Sequence, residues 1–221
     1  MAYFECGPID LSLPGGEKIL DGIHLAFSPP MVCVISGDSG SGKSSLLRAI
    51  AGLNQARVVT RRLGGRKYTE DELPRWRQEV TLLPQDAPCK QGTLLENLSF
   101  PYGFKVNKGK VFCRDKALET LRQLSLSYLD LEKDVQTLSG GERHRLCLAR
   151  GLLWAPSVLL ADEPLTGLEE RLAFRSFELL RDFSRSRPAI VICVLHDEGL
   201  ARYADQWLKL KDGTLHRAYT I

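Results

Sequence analysis

The sequence predicts an α/β fold in one domain, 1–221, with a mostly parallel core sheet, an N-terminal antiparallel β lobe and an inserted helical lobe. Three observations predict it. Residues 31–35, 158–161 and 189–195 are short, continuously apolar runs, the pattern of strands buried on both faces of a parallel sheet. Earlier, Ile23, Leu25 and Phe27 alternate with His24, Ala26 and Ser28, the period of a strand with one buried face. Between the later runs, apolar residues recur at helical spacing, as in Ala173, Phe177 and Leu180, so the core reads strand, helix, strand with right-handed crossovers.

The stretch 88–136 breaks this alternation. It places Ala117, Leu121 and Leu124 on one helical face and holds no strong strand, so the helical lobe is expected at about 88–150 once the next helix is included. A length of 221 residues, 43% of them apolar, suffices to bury one ordinary core.

The formal net charge of +3 is the balance of 30 basic and 27 acidic residues, which speaks against the basic stripe that nucleic-acid binding needs. Run 189–195 falls far short of the roughly 20 apolar residues that span a bilayer, and the first residues lack a signal-peptide layout. A soluble, cytoplasmic chain is expected. Of six cysteines, Cys33, Cys147 and Cys193 sit in apolar runs and none forms a CxxC pair, so reduced thiols are expected.

The first chemical motif follows run 31–35 directly. Gly37-Asp38-Ser39-Gly40-Ser41-Gly42-Lys43-Ser44, with Ser45 opening a helical run, fits the phosphate-binding P-loop G-x-x-x-x-G-K-[ST] in the strand–loop–helix context the motif requires. Its glycines let successive backbone N–H groups point at phosphate oxygens, and the helix adds its positive end. Lys43 is expected at the β- and γ-phosphates of ATP, and the Ser44 hydroxyl at Mg2+.

Run 158–161 ends in Asp162-Glu163-Pro164. Adjacent strand residues point to opposite faces, so the two acids are expected to do different work: Asp162 holds Mg2+ and Glu163 orients or deprotonates the attacking water. Without the P-loop, the plainer reading is an acidic turn stopped by Pro164.

Leu138-Ser139-Gly140-Gly141-Glu142 precedes a helix with Leu146, Ala149 and Leu153 on one face. Ser139 and Glu142 alone read as a capping box. Two glycines in a first helical turn each cost up to about 1 kcal/mol relative to alanine, a cost that makes sense where a ligand must approach the backbone.

With this segment the chain closely resembles, over essentially its whole length, the nucleotide-binding subunits of ABC transporters. The resemblance implies that Ser139, Gly140, Gly141 and Glu142 bind the γ-phosphate of an ATP held by a second copy's P-loop, in a head-to-tail, ATP-dependent dimer. It implies that Gln85 contacts Mg2+ and the attacking water, and that His196 contacts the γ-phosphate. It also implies separate integral membrane permease subunits and a peripheral place at the cytoplasmic face of the membrane. Stretch 85–101 is similar to that of FetA-type ATPases of metal or iron export; lipoprotein and phospholipid trafficking ATPases have similar cores, and regulation of a soluble partner is the alternative role.

Two positions depart from the family. Thr166-Gly167-Leu168-Glu169 stands where Ser-Ala-Leu-Asp is usual, and neither Leu13 nor Pro14 supplies the aromatic ring that stacks on adenine. Weak discrimination between adenine and guanine is therefore expected, the alternative being that Tyr3 or Phe4 folds back to supply the ring.

Overall fold

The computed structural model describes residues 3–107 and 109–218. In chain order it contains β1 (Phe4–Ser12), β2 (Lys18–Phe27), β3 (Met31–Ser36), α1 (Lys43–Ile50), β4 (Arg57–Leu63), β5 (Arg66–Lys67), α2 (Leu73–Glu79) and β6 (Val80–Leu83). There follow α3 (Leu94–Ser99), α4 (Arg114–Gln123), α5 (Gly140–Trp154), β7 (Val158–Asp162), α6 (Glu170–Ser186), β8 (Ile190–Val194), α7 (Glu198–Ala201), β9 (Gln206–Lys211) and β10 (Thr214–Arg217).

The larger sheet has the order β10-β9-β3-β8-β7-β6, parallel throughout except for β10, which pairs antiparallel with β9. The smaller sheet, β2-β1-β4-β5, is antiparallel. Each apolar run proves to be a strand covered on both sides. Cys33 and Ile35 of β3 face one core with α1, β1 and β2, while Val32 and Val34 face a second core with α5 and α6. The same division splits Val158 and Leu160 from Leu159 and Ala161 on β7. Because neither face meets water, the run need not alternate.

Between β6 and β7 the regular elements are helical, apart from one isolated bridge between Thr93 and Asp134 among the described residues. Ala117, Leu121 and Leu124 are buried there, as their spacing requires. The helical stretch runs four residues beyond 150, because α5 continues to Trp154 and stops where Ala155 turns left-handed at φ 52°. Both α3 and α5 start in capping boxes, Thr93 with Glu96 and Ser139 with Glu142. All six cysteines are free thiols.

Candidate functional site

The parallel strands end on one side of the sheet, and the motifs collect there. β3 leads into the phosphate loop, in which Asp38, Ser39 and Gly40 are exposed and the Ser41 amide donates to the Asp38 carbonyl at 3.1 Å. Gly42 caps α1 at φ 99°, and a Cβ there would lie 2.7 Å from Ile19 Cγ2. Only glycine satisfies both the conformation and the space. Lys43 opens α1 and is only 6% exposed; its ammonium donates to the carbonyls of Gly37 at 2.8 Å and Asp38 at 2.7 Å. Its charge is therefore held over the loop mouth by neutral acceptors. Ser44 and Ser45 follow on α1, with the Ser45 carbonyl accepting from Asn54 Nδ2 at 2.9 Å.

Asp162, the last residue of β7, is 3% exposed, and its Oδ1 has no hydrogen-bond partner among the described residues. Burial pushes its carboxyl above the ordinary value; a hydrogen bond from Ser44 opposes this, the Glu163 charge adds to it, and Arg48 and Lys43 oppose it. A buried carboxylate oxygen without a donor, beside a serine hydroxyl, suits a hard cation: oxygen ligands and unbalanced negative charge are what Mg2+ takes.

Glu163 is not a strand residue, which corrects the expectation that strand alternation separates it from Asp162. β7 stops at Asp162, and Glu163 turns left-handed at φ 49°. That turn carries its carboxylate to Gln85 and His196. Gln85 Nε2 donates to Glu163 Oε2 at 3.0 Å, and His196 Nε2 lies 2.7 Å from Oε1. Gln85 and His196, 78 and 33 positions away in the chain, thus meet at the Glu163 carboxylate, beyond the ends of β6, β7 and β8. A non-glycine residue at positive φ is strained, and such strain is retained where surrounding contacts over-determine it.

Two contributors were not anticipated. Thr166 Oγ1 donates to Glu163 Oε2 at 3.1 Å, and the Thr166 carbonyl lies 3.0 Å from His144 Nδ1 on α5. His144 thereby ties the glycine-bearing helix to the turn after Glu163. Its position one turn into that helix was a usable signal.

At the start of α5, Ser139 Oγ accepts from the Glu142 amide at 3.3 Å, and Glu142 Oε2 accepts from the Ser139 amide at 2.7 Å. Glu142 Oε1 also accepts from Tyr128 at 2.7 Å. That bond, with those from Ser139, pushes the Glu142 carboxyl down to about 2. Glu142 is thus committed to the cap. A Cβ on Gly140 would meet nothing within 4 Å, and one on Gly141 would meet only Leu168 at 3.8 Å and the Gly167 carbonyl at 4.0 Å. Among the described residues no contact requires glycine at either place. Among the described residues no hydrogen bond joins Ser139, Gly140 or Gly141 to the phosphate loop.

The structure removes one of the two alternative sources of an adenine-stacking ring. Phe4 is fully buried, stacked between Phe27 and Trp76, and cannot leave that core to meet a base. Tyr3 packs beside Gly64 at the β4–β5 turn. It precedes β1, whereas Leu13, 46% exposed, follows it at the β1–β2 turn. A nine-residue strand, about 30 Å long, separates the two. Glu169, at the N-cap of α6, makes no side-chain capping bond.

Beside the Glu163 cluster, α2 and β6 on one side and the helical stretch on the other enclose a groove of about 830 Å3, lined among others by Arg77, Leu83, Phe100, Phe104, Arg150 and Trp154. Among the described residues no helix is long and apolar enough to cross a membrane.

A sequence profile of the ABC transporter family matches residues 20–166. The chain is 33% identical over 207 residues to the lipoprotein-releasing system ATP-binding protein LolD of Acinetobacter baylyi, covering 89% of this chain and 88% of that protein. It is 31% identical over 208 residues to the phosphonates import ATP-binding protein PhnC of Hyphomonas neptunium, covering 90% and 80%. The dimeric ATP-binding cassette MJ0796, solved in a post-hydrolysis state with ADP and Pi, superposes with a TM-score of 0.85 at 25% identity, over 99% of this chain and 100% of that one. With the phosphate loop, the acid pair and the two-glycine helix start in their places, the chain belongs to the ABC transporter family as an ATP-binding subunit that hydrolyses ATP.

Proposed function

We propose that two copies of this subunit, head to tail, hold two ATP molecules between them and transmit hydrolysis to separate membrane permease chains. The observation that carries this reading is the convergence of Gln85 and His196 on Glu163, next to a buried acid and a phosphate loop. The loop amides and Lys43 bind the phosphates, Lys43 exchanging its carbonyl contacts for phosphate oxygens. Ser44 and Asp162 would hold Mg2+, with Gln85 approaching it; the ion, when bound, offsets phosphate charge. Glu163 orients a water molecule whose oxygen attacks the γ-phosphorus, and it takes up the water's proton as the bond to the β-phosphate oxygen breaks, giving ADP and phosphate. His196 faces the γ-phosphate from the other side of that carboxylate. Ser139, Gly140 and Gly141 serve the partner copy's ATP, which accounts for glycines that no contact among the described residues demands.

The groove beside Gln85 supports the permease reading, because a segment seated there touches the strand end that carries Gln85. On this reading the subunit works at the cytoplasmic face of the membrane. For the cargo, the likeness of stretch 85–101 to FetA-type ATPases supports metal or iron export. The 33% identity to LolD supports lipoprotein release as the second reading. Purification of the subunit from membranes tests both levels. A polytopic membrane protein should accompany it, and its ATPase rate in that complex should respond to metal ions and not to lipoprotein. Purification with a soluble protein alone would contradict the transport reading.

A further inference from the structure

The segment that walls the groove has a second side. From 100 to 116 the chain passes through short turns into α4, and the described residues there include Lys105, Lys110, Arg114 and Lys116 against one acid, Asp115. With Lys108, five bases less one acid make the stretch +4 by sequence, more than the formal net charge of +3 of the whole chain. Lys110, Lys116 and the end-of-helix Arg187 line a cleft of about 210 Å3 together with Tyr102, Val111 and Trp154. Lys110 Nζ sits 3.9 Å from the Trp154 ring centroid and donates to the Trp154 carbonyl at 3.2 Å. Among the described residues neither Lys116 nor Arg187 has an ion-pair partner, although the surface elsewhere pairs its charges freely, as in Arg122 with Glu119 and Arg181 with Glu178.

Cations alone would describe a solvated face. Here they flank an apolar side chain turned outward: Val111 lines the same cleft and is 85% exposed. Phe100 and Phe104, edge to face at 4.9 Å, line the groove instead. Lys116 and Arg187, without ion-pair partners among the described residues, beside Lys110 and a projecting Val111 at a cleft of about 210 Å3, are the composition of a surface that lies on an anionic bilayer.

The geometry points to the cleft of Lys110, Lys116 and Arg187 as a lipid contact: these cations take the phosphate of an anionic phospholipid headgroup, while Val111 enters the headgroup boundary. The inference rests on the permease reading only for orientation, since the groove wall and this cleft share Trp154 and the turns between them.

The test is co-sedimentation of the full chain, without nucleotide, with vesicles of phosphatidylcholine alone or mixed with phosphatidylglycerol. The wild type should bind the mixed vesicles and not the neutral ones. At about fivefold per cation near an anionic surface, Lys110→Gln, Lys116→Gln and Arg187→Gln together should weaken that binding roughly a hundredfold. Val111→Ser should weaken it with charge unchanged, and neither variant should alter basal ATPase rate. No binding of the wild type to mixed vesicles would overturn the inference. So would displacement by inorganic phosphate beyond that by chloride at equal ionic strength, which would mark a free-anion site. Loss of the co-purifying permease by the triple variant, with no vesicle binding by the wild type, would assign the surface to an acidic protein loop instead. Because vesicle binding needs no permease, its failure is separable from failure of the transport reading, which co-purification of the wild type decides.

Discussion

Replacing Gly140 and Gly141 together by alanine separates a folding role from a ligand role. Neither glycine has a left-handed φ, and the added Cβ atoms meet nothing within 4 Å at 140 and only ordinary contact at 3.8 Å at 141. Alanine restricts the unfolded chain, so each change should stabilise the isolated subunit by about 0.4–1 kcal/mol, or roughly 1–2 kcal/mol together. For a chain of this length that raises Tm by about 2–8 °C. In the shared site the same methyl groups occupy the approach to the partner's phosphate, where overpacking costs about 1–3 kcal/mol each, so hydrolysis should fall at least about thirtyfold. Thermal unfolding without nucleotide and steady-state phosphate release measure the two sides. A variant that is more stable and hydrolyses ATP at the wild-type rate would refute the ligand explanation of these glycines, while a less stable one would refute the packing argument.

Lys43→Ala should lose ATP affinity, whereas Glu163→Gln should bind ATP and hydrolyse it at least about a hundredfold more slowly; equilibrium nucleotide binding and phosphate release distinguish them. With no ring at Leu13, ATP and GTP should compete almost equally, and Leu13→Tyr should tighten ATP binding by about 1–3 kcal/mol in a competition assay. The Glu142 carboxyl is held down to about 2 by Tyr128 and Ser139, so its stabilisation is complete above the ordinary carboxylate range and is lost as pH falls toward 2. Glu142→Gln should therefore destabilise the fold at pH 7 by about 1 kcal/mol, the scale of a helix cap, and the difference from wild type should shrink in denaturant titrations as pH drops below about 4.5.

The phosphate loop was legible because its determinants are local: a buried strand, glycines and a helix start within twenty residues. So were β3, β7 and β8, the three adjacent strands of the larger sheet whose runs lack polar interruptions. Strands β9 and β10 were not, because Lys209, Lys211 and His216 point to solvent at the sheet edge and leave only Leu208 and Leu210 buried. Glu163 was found by its neighbours in the motif, but its conformation was misjudged, since a left-handed turn at a non-glycine residue leaves no mark in the sequence. His144 escaped because its contact with the Thr166 carbonyl crosses from helix to loop, and Thr166 because its hydroxyl meets Glu163 through the left-handed turn there. Phe4 illustrates the reverse error: an aromatic residue near the chain start looks free until Phe27 and Trp76 are seen to enclose it.

The central claim is that one copy supplies the phosphate loop and the other Ser139 and its glycines. The mass of Glu163→Gln in solution, by light scattering with saturating ATP, tests it most directly. The account predicts twice the 24.7 kDa of the chain with ATP, a single chain with ADP, and a single chain again when Ser139→Arg is added. A monomer that holds ATP at saturation, or a dimer that survives Ser139→Arg, would contradict it.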